Sequence, residues 1–385
     1  MKKRIFPGIS ESVSLLGFGL MRLPRLEPVN GEAGAIDYEL AERMVDQAIQ
    51  SGVTYFDTAW GYHEGHSEEF AGKALSRHPR GSYYLASKMP VWELSSPADL
   101  ERIFAEQLKR CRVEYFDFYL LHNMTEENYK KAREFSVYEF LHRKKEQGFI
   151  RHLGFSFHDH PRLLERIVTE HEWDFAQIQL NYLDWTIIDS KRQYEILQSR
   201  NLPVIVMEPV RGGSLASLTP EAAAVLQRKK PKDSPAVWAI RYAASLPGVL
   251  TVLSGMSQPE QLAENISAMS PFTPLSQDEQ NALDEAGTIY KASGAIPCTA
   301  CRYCMDCPSG VDIPRVFAIY NHYLTRRNEM WSRNLFEINY ASLDETAQAH
   351  NCIACGLCLD KCPQFISIPE HMESIARFVA EKPEG

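Results

Sequence analysis

The stretch Phe-Asp-Phe-Tyr-Leu-Leu-His at residues 116–122 shows the pattern from which the fold can be predicted. It is a short, mostly apolar run that ends in a polar residue. Amphipathic helical patterns flank it, at residues 97–112 before it and at 126–147 after it. Short apolar runs that alternate with helical patterns are typical of parallel strands in an α/β protein.

The same alternation occurs eight times in the first 290 residues. The predicted strands are Ser14–Phe18, Thr54–Thr58, Tyr83–Lys88, Phe116–His122, His152–Ser156, Phe175–Leu180, Val204–Glu208 and Val249–Ser254. The predicted helices between them are Tyr38–Ser51, Glu68–Arg77, Pro97–Arg112, Glu126–Gln147, Pro161–His171, Asp189–Arg200, Pro235–Ser245 and Pro259–Met269. Eight strand–helix units predict a parallel (β/α)8 barrel, which typically needs about 250 residues. A doubly wound open sheet is the alternative, but no Gly-x-Gly-x-x-Gly motif follows an early strand.

Length and composition limit the kinds of protein that this chain can be. At 385 residues it is long for one domain, so two domains are expected. A net charge of −9 argues against nucleic acid or an anionic membrane as a main partner. No apolar run reaches the roughly 18 residues that a membrane-spanning helix needs, and the start of the chain does not read as a signal peptide. The cytoplasm is therefore the expected compartment.

Polar side chains end three neighbouring predicted strands. Asp57 lies at the end of the second strand with Tyr62 just beyond it, Lys88 ends the third strand, and His122 ends the fourth. The active sites of such barrels lie at the C-terminal ends of the strands, so these four residues are expected to meet at one rim. Taken alone, a lysine after a strand is usually a solvated loop residue, and a histidine there often has its hydrogen bonds satisfied within the protein. The order of the four on successive strands favours a function.

The chemistry that this set predicts is the protonation of a carbonyl oxygen. A tyrosine hydroxyl has an ordinary pKa of about 10, so it is a poor acid at neutral pH unless a cation lies close. Lys88 can supply that cation, and Asp57 can hold the lysine in place. His122 can hydrogen-bond a substrate oxygen. Together they would protonate the oxygen while hydride arrives at the carbon.

At these residues the chain resembles the aldo-keto reductase family. Residues 55–62 (Tyr-Phe-Asp-Thr-Ala-Trp-Gly-Tyr), with Ser-Glu at 67–68 and Gly-Lys-Ala-Leu at 72–75, are similar to the motif around that family's Asp and Tyr. Ser87-Lys88 and Leu-Leu-His at 120–122 are similar to its Lys and His motifs. The resemblance covers residues 1–290 and implies an NAD(P)H-dependent barrel. Its catalytic tetrad would be Asp57, Lys88, His122 and the general acid Tyr62.

The resemblance also implies where the nucleotide binds. The expected nucleotide contacts are Ser156, Gln177, Met207, Gln261, Glu264 and Asn265. Met207 stands where family members often place an aromatic ring on the nicotinamide, and Gln261 where a 2′-phosphate would need Arg or Lys. Between Arg241 and Lys291 the chain has no Lys or Arg. NADH is therefore expected to be favoured over NADPH, or dinucleotide binding to be weak.

Eight of the nine cysteines lie in two runs near the end of the chain. The first cysteine run is Cys298, Cys301, Cys304 and Cys307, and the second is Cys352, Cys355, Cys358 and Cys362. Proline follows each run, and an Ile-Pro pair comes six residues after each last cysteine. The second run has the spacing Cys-x2-Cys-x2-Cys-x3-Cys-Pro, which is typical of bacterial ferredoxins that hold two 4Fe–4S clusters, and the first run is a near copy of it. Residues 291–385 are therefore predicted to form a small, mainly α-helical, two-cluster ferredoxin-like domain.

In ferredoxins of this type the last cysteine of each run binds the cluster of the other run. This predicts one cluster on Cys298, Cys301, Cys304 and Cys362, and a second on Cys352, Cys355, Cys358 and Cys307. Assignment of each run to its own cluster remains an alternative. A structural zinc site is another, although zinc usually pairs two Cys-x2-Cys units across a spacer.

The two parts together predict an oxidoreductase that reduces a carbonyl group, or oxidises an alcohol, of a small molecule. The clusters would connect its site to an outside carrier such as ferredoxin. A hydride carries two electrons and a cluster normally takes one, so a flavin is a further candidate cofactor. Two alternatives stay open: an ordinary reductase with structural or docking clusters, and an electron-transfer or redox-sensing protein with a non-catalytic barrel. Trp60, Trp92, Trp185 and Tyr182 suggest an aromatic substrate pocket.

Overall fold

The computed structural model describes residues 1–27, 34–305 and 307–381. It divides into two compact units. The first consists of Met1–Pro209 and Ala239–Leu275, and the second of Val210–Trp238 and Ser276–Gly385. The second unit thus takes a segment from the middle of the chain as well as the C-terminal region. The predicted domain boundary at residue 290 stays a prediction.

The first unit contains a closed barrel of eight parallel strands. The ten strands of the chain are β1 (Lys3–Phe6), β2 (Ile9–Ser14), β3 (Leu16–Gly19), β4 (Tyr55–Asp57), β5 (Tyr84–Met89), β6 (Phe116–Met124), β7 (Ile150–Phe157), β8 (Phe175–Gln179), β9 (Val204–Met207) and β10 (Val249–Gly255). Strands β3 to β10 pair in chain order, and β10 closes the barrel on β3 with Val252 opposite Leu16. The predicted (β/α)8 barrel is confirmed, with all eight predicted strands in place.

The hairpin of β1 and β2 precedes the barrel and was not predicted. Ile9 and Val13 of this hairpin pack in one buried cluster with Tyr55, Phe118 and Leu250. These three residues belong to the first halves of their strands, so the hairpin covers the N-terminal end of the barrel. The opposite end, where the predicted site residues lie, is left to the loops.

Fifteen helices complete the described chain. They are α1 (Tyr38–Gln50), α2 (Ser67–Leu75), α3 (Ala98–Cys111), α4 (Glu126–Glu134), α5 (Val137–Glu146), α6 (Pro161–Glu170), α7 (Asp184–Ile187), α8 (Ser190–Ser199), α9 (Pro220–Lys229), α10 (Pro235–Ser245), α11 (Pro259–Ala268), α12 (Gln277–Ala292), α13 (Ile313–Arg326), α14 (Ser332–Ala341) and α15 (Ile368–Ala380). Within the described ranges no helix is long and apolar enough to cross a bilayer. The helix predicted over Glu126–Gln147 is in fact two helices, because Ser136 has a left-handed backbone with φ of 52°.

The second unit is mainly helical, as predicted for the cysteine-rich part. Val316 and Phe317 of α13, Phe336 of α14, and Met372 and Ile375 of α15 form its buried core. Helix α12 begins with a capping box, in which Ser276 and Glu279 exchange hydrogen bonds with each other's backbone. Two short 3-10 turns, Glu345–Ala347 and Ala349–Asn351, follow α14 and lead to the second cysteine run.

The mid-chain segment is packed into this second unit at two points. Helix α9 packs against α12. Gly212 has a φ of +64°, and a Cβ at that position would lie 2.2 Å from the carbonyl oxygen of Thr299. Only glycine combines this backbone conformation with so close an approach. Thr299 follows the first cysteine of the first run, so the segment after β9 touches the cysteine-bearing loop.

Candidate active site and cluster cysteines

Lys88 is the central residue of the predicted tetrad. It ends β5 with its side chain fully buried in the barrel. Its Nζ donates to Oδ1 of Asp57 at 2.6 Å and to the carbonyl oxygen of Thr58 at 2.8 Å. A third contact joins Nζ to the hydroxyl of Tyr62 at 3.4 Å. The structure therefore brings Asp57, Tyr62 and Lys88 together as predicted, with one ammonium between a carboxylate and a phenol.

Burial dominates the electrostatics of these three groups. It lowers the pKa of Lys88, against the opposing effect of Asp57 and a smaller one of Glu68. It also raises the pKa of Asp57, against Lys88. The pKa of Tyr62 lies well above its ordinary value, first through burial and then through the charges of Asp57 and Glu208. Tyr62 thus keeps its proton over the physiological pH range, which a proton donor requires.

His122 lies at the same rim and is neutral. Its ring lies 6.0 Å from the ring of Tyr62 and 4.9 Å from that of Trp92, measured between centroids. Burial, Lys88 and His158 place the pKa of His122 well below its ordinary value. Its Nδ1 is buried and has no hydrogen-bond partner among the described residues. A neutral imidazole with one unpaired ring nitrogen can bind a substrate oxygen or hydroxyl.

The three residues predicted to lie near the nicotinamide are on β7, β8 and β9, with Ser156 and Met207 near the strand ends and Gln177 in the middle of β8. The Oγ of Ser156 accepts a hydrogen bond from the backbone N–H of Asn123 at 2.8 Å. The amide of Gln177 donates to Sδ of Met207 at 3.6 Å, and its buried Oε1 has no partner in the described chain. A carboxamide with a free acceptor is suited to the amide of a nicotinamide. The cofactor's chemistry therefore fits the residues present.

The residues predicted at the far end of the nucleotide site lie on α11. Asn265 is buried and donates to Oγ of Ser254 at the end of β10. Gln261 is exposed, and its Oε1 accepts from the backbone N–H of Ser257 at 2.8 Å. Glu264 is half-buried on the same helix. Gln261 is neutral and already engaged by the loop, so it offers no charged donor for a 2′-phosphate.

The four aromatic residues suggested for the substrate pocket have different neighbours. Trp92 contacts His122, as described above. Trp60 lies under the guanidinium of Arg110 at 3.9 Å. Trp185 and Tyr182 both pack against Tyr242 at 6.1 Å between ring centroids. The aromatic substrate pocket stays a prediction.

An ion pair at the rim was missed in the sequence. Arg22, beyond β3, lies 3.4 Å from the carboxylate of Glu208, beyond β9. Both charges affect the pKa of Tyr62, with Glu208 raising it and Arg22 lowering it. Glu208 is the polar residue that ends the seventh predicted strand, so the rule that identified the tetrad should also have identified it. Its left-handed backbone, with φ of 54°, is strained for a residue other than glycine.

The eight clustered cysteines line two cavities in the second unit. The first cavity is lined by Cys298, Cys301, Cys304 and Cys362. The second is lined by Cys307, Cys352, Cys355 and Cys358, with Cys304 also on its wall. The last cysteine of each run therefore faces the cavity of the other run. This is the arrangement that the crossed assignment requires.

The cysteines fit an iron–sulfur cluster in chemistry as well as position. None of the eight forms a disulfide. Burial and the neighbouring thiols of Cys301, Cys298 and Cys362 raise the pKa of Cys304 to about 12. Crowded thiolates of this kind need a cation to hold them. Among the described residues, no three His, Cys, Asp or Glu side chains converge tightly enough to hold a single metal ion. The thiols instead surround a space, and each iron of a cubane takes one thiolate.

Comparison with known proteins agrees with both parts of the chain. The model of the aldo/keto reductase family matches residues 15–288, and that of the 4Fe-4S dicluster domain matches residues 297–366. Fold and sequence together define an oxidoreductase barrel followed by a ferredoxin-type 4Fe–4S domain. The chain belongs to the aldo/keto reductase family.

Individual relatives match about three quarters of this chain. The uncharacterized oxidoreductase YqkF of Bacillus subtilis is 26% identical, over 76% of this chain and 99% of its own length. The NADH-specific methylglyoxal reductase of Escherichia coli is 23% identical, over 70% of this chain and 94% of its own. Among solved structures, the holo form of aldo-keto reductase AKR11C1 from Bacillus halodurans is 26% identical. It covers 74% of this chain and 96% of its own, with a TM-score of 0.59.

Proposed function

We propose that the barrel reduces a carbonyl group of a small molecule with NAD(P)H, or oxidises the corresponding alcohol. The observation that carries this proposal is the fully buried ammonium of Lys88, which contacts both Asp57 and the hydroxyl of Tyr62. Burying a charged side chain in this way is unfavourable unless the charge is paired, and here the pairing joins the lysine to the two other residues of the predicted tetrad. Reducing conditions that keep clustered thiols free support the cytoplasm as its compartment.

The residues of the chain divide the work as follows. Tyr62 donates its proton to the oxygen that becomes the alcohol, and Lys88 stabilises the negative charge left on the phenol. Asp57 holds Lys88 in position, and the free Nδ1 of His122 orients the substrate oxygen. Ser156 and Gln177 would hold the nicotinamide. When bound, the reduced nicotinamide supplies the hydride.

The test of this role is Tyr62→Phe, with Tyr84→Phe as the matched control at the opposite end of β5. Initial rates of NADH and NADPH oxidation would be measured with aldehydes, α-dicarbonyls and quinones. Losing a general acid typically costs about 10²–10⁴-fold, so Tyr62→Phe should fall in that range while Tyr84→Phe keeps its rate. Undiminished turnover by Tyr62→Phe would remove the tetrad from the mechanism.

NADH is the proposed preferred cofactor. The support is the neutral, engaged side chain of Gln261 and the absence of Lys and Arg between Arg241 and Lys291 in the sequence. The name of the Escherichia coli relative, an NADH-specific reductase, agrees with this preference. A KM for NADPH far below that for NADH would contradict it.

The clusters are proposed to connect the barrel to a one-electron carrier such as ferredoxin. Oxidation of an alcohol releases two electrons and two protons, and two clusters can each take one electron before passing it to the carrier. A flavin is the cofactor class that divides a hydride into single electrons. The adjacency of the two cavities, which share Cys304, Ile313, Lys361 and Ile368 on their walls, supports transfer between clusters.

Anaerobic reduction followed by EPR tests this connection. NADH, or an alcohol substrate with NAD⁺, should bleach the cluster absorption in the wild-type chain. Tyr62→Phe should lose the reduction by alcohol with NAD⁺ and keep the reduction by NADH, which needs no proton from Tyr62. Dithionite, which needs no active site, should reduce the clusters in both. If only dithionite ever reduces them, the clusters are structural or docking elements and the barrel is an ordinary reductase.

A further inference from the structure

A buried carboxyl group outside the tetrad lies on the helix side of the barrel wall behind Lys88. Glu68, in the first turn of α2, has no exposed surface. Its Oε1 accepts hydrogen bonds from the hydroxyl of Ser87 at 2.6 Å and from the amide of Gln107 at 2.5 Å. A buried carboxylate is unfavourable unless neighbouring groups compensate its charge.

The groups that hold Glu68 also hold the peptide of Lys88. The Nε2 of Gln107, on α3, faces Oγ of Ser87 at 3.1 Å and the carbonyl oxygen of Lys88 at 3.0 Å. The hydroxyl of Tyr119 donates to Oε1 of Gln107 and so fixes which way the amide points. Successive side chains of a strand point to opposite faces, so Ser87 faces the helices while Lys88 faces the barrel interior. Glu68 therefore reaches the lysine through the strand backbone.

Arg110 joins the same group to the loop that carries Tyr62. Its Nη1 lies 3.6 Å from Oε2 of Glu68. Its guanidinium stacks on the ring of Trp60, two residues before Tyr62, at 3.9 Å. Cation–π contact of this kind fixes the ring that it covers. The catalytic lysine and the tyrosine loop are thus both tied to one buried carboxylate.

We propose that Glu68 is a positioning residue for Lys88 and a second counter-charge that keeps this lysine protonated from behind the barrel wall. Its catalytic consequence rests on the proposed function, whereas its effect on Lys88 does not. Asp57 neutralises the ammonium from inside the barrel, and Glu68 does so from outside. The other groups that face this pair are Tyr62, His122 and His158 on the lysine side and Arg110, Cys111 and Tyr119 on the carboxylate side.

The charge balance agrees with this geometry. Burial lowers the pKa of Lys88, and both Asp57 and Glu68 oppose that effect. Burial raises the pKa of Glu68, opposed by Ser87, Gln107, Arg110 and Lys88. The charges of Glu68 and Lys88 thus each oppose the effect of burial on the other group. Removing the charge of Glu68 should therefore lower the pH at which Lys88 titrates.

The experiment follows the Cε resonance of Lys88 by NMR in the full chain with isotopically labelled lysine, assigned with Lys88→Met. Glu68→Gln keeps the side-chain shape and removes the charge. It should lower the proton affinity of Lys88 at least about threefold, or half a pH unit. Glu68→Asp keeps the charge but withdraws it from Ser87 and Gln107. It should produce a smaller shift in the same direction, and it serves if Glu68→Gln does not fold.

Asp117→Asn is the matched control. Asp117 is another buried carboxylate bonded to β5, through the backbone N–H of Leu85, but it lies away from Lys88. This control should lower thermal stability and leave the lysine titration unchanged. If the Glu68 variants also lower stability without moving the titration of Lys88, Glu68 is purely structural and the proposal is wrong. Turnover is not needed for this result, so it stands apart from the test of the proposed function.

In an active preparation, a second readout is the pH profile. The alkaline limb of kcat/KM should move to lower pH in Glu68→Gln, and that of Asp117→Asn should coincide with the wild type. An unshifted limb in Glu68→Gln, with a shifted NMR titration, would mean that Glu68 stabilises the protonated form of Lys88. It would also mean that the protonation of this lysine does not limit the rate. That result would overturn the catalytic part of the proposal.

Discussion

At the scale of single residues, the main feature of the barrel interior is the buried ion pair of Asp57 and Lys88. Both side chains are almost without exposed surface, and 2.6 Å separates Oδ1 from Nζ. Two charges in so dry a place are stable only as a pair, because either one alone would keep its full desolvation cost. The pair is thus a fixed structural element as well as part of the proposed catalytic site.

Asp57→Asn should therefore be far more damaging than the loss of one hydrogen bond. It leaves the buried ammonium without its main partner, which typically costs about 3–5 kcal/mol in the free energy of unfolding. Adding Lys88→Met removes the orphaned charge, so the double variant should regain part of that loss while staying inactive. Denaturant unfolding of the three proteins measures this. A single variant within about 1 kcal/mol of wild type would show that water reaches the site.

The site residues could be predicted from the sequence where they lie at the ends of strands. Asp57, Lys88 and His122 end consecutive parallel strands, and the barrel then forces them to one rim. The contribution of Glu68 was not predictable, because it acts through the far face of a strand and depends on helix packing. The position of Trp60 also depends on packing, since nothing in its local sequence shows that Arg110 covers it.

At the scale of elements, the approach of α2 to α3 depends on one glycine. A Cβ on Gly72 would lie 2.2 Å from the carbonyl oxygen of Arg110 and 2.7 Å from the carbonyl carbon of Cys111. The two helix backbones are therefore in direct contact at Gly72. Helix α2 starts at Ser67, whose hydroxyl bonds Thr58 and the backbone of Leu20, so its position is coupled to the loop of Tyr62.

Gly72→Ala should push the two helices apart. Overpacking of a tight contact costs about 1–3 kcal/mol, and here the neighbouring atoms are backbone and cannot turn aside. Gly81→Ala is the control, because a Cβ there meets nothing within 4 Å. It should change the free energy of unfolding by less than about 0.5 kcal/mol. Equal stability of the two variants would mean that α2 and α3 shift at no cost.

The observed bounds of strands and helices show which sequence patterns predict secondary structure well. The eight barrel strands were predicted within a few residues because short apolar runs mark buried parallel strands. The break at Ser136 was missed, because helical periodicity continues across it. Helix α14 was missed although Ser332, Phe336 and Tyr340 are spaced four residues apart and are buried.

At the scale of the whole molecule, each proposed cluster site takes cysteines from both runs. Cys307 belongs to the first run and lines the second cavity, and Cys362 does the reverse. With crossed ligation, neither run would complete a four-thiolate site from its own members. Each cluster should therefore need cysteines of both runs.

Serine variants distinguish crossed from local ligation. Replacing Cys298, Cys301 and Cys304 should leave one cluster of four irons, held by the second run and Cys307. Adding Cys307→Ser to that triple variant should abolish the remaining cluster, and adding Cys362→Ser instead should spare it. Iron and sulfide content after anaerobic purification, with EPR, gives the answer. The opposite pattern would establish local ligation.

The packing of Gly212 on Thr299 has a consequence for grafting the cluster-bearing region onto another protein. The compact unit that carries the cysteines also includes Val210–Trp238, and one glycine of that segment lies against the backbone beside the first cysteine. A graft of residues 291–385 alone would leave these contacts behind. A transplanted cluster region should therefore fold better when the matching mid-chain segment is transplanted with it.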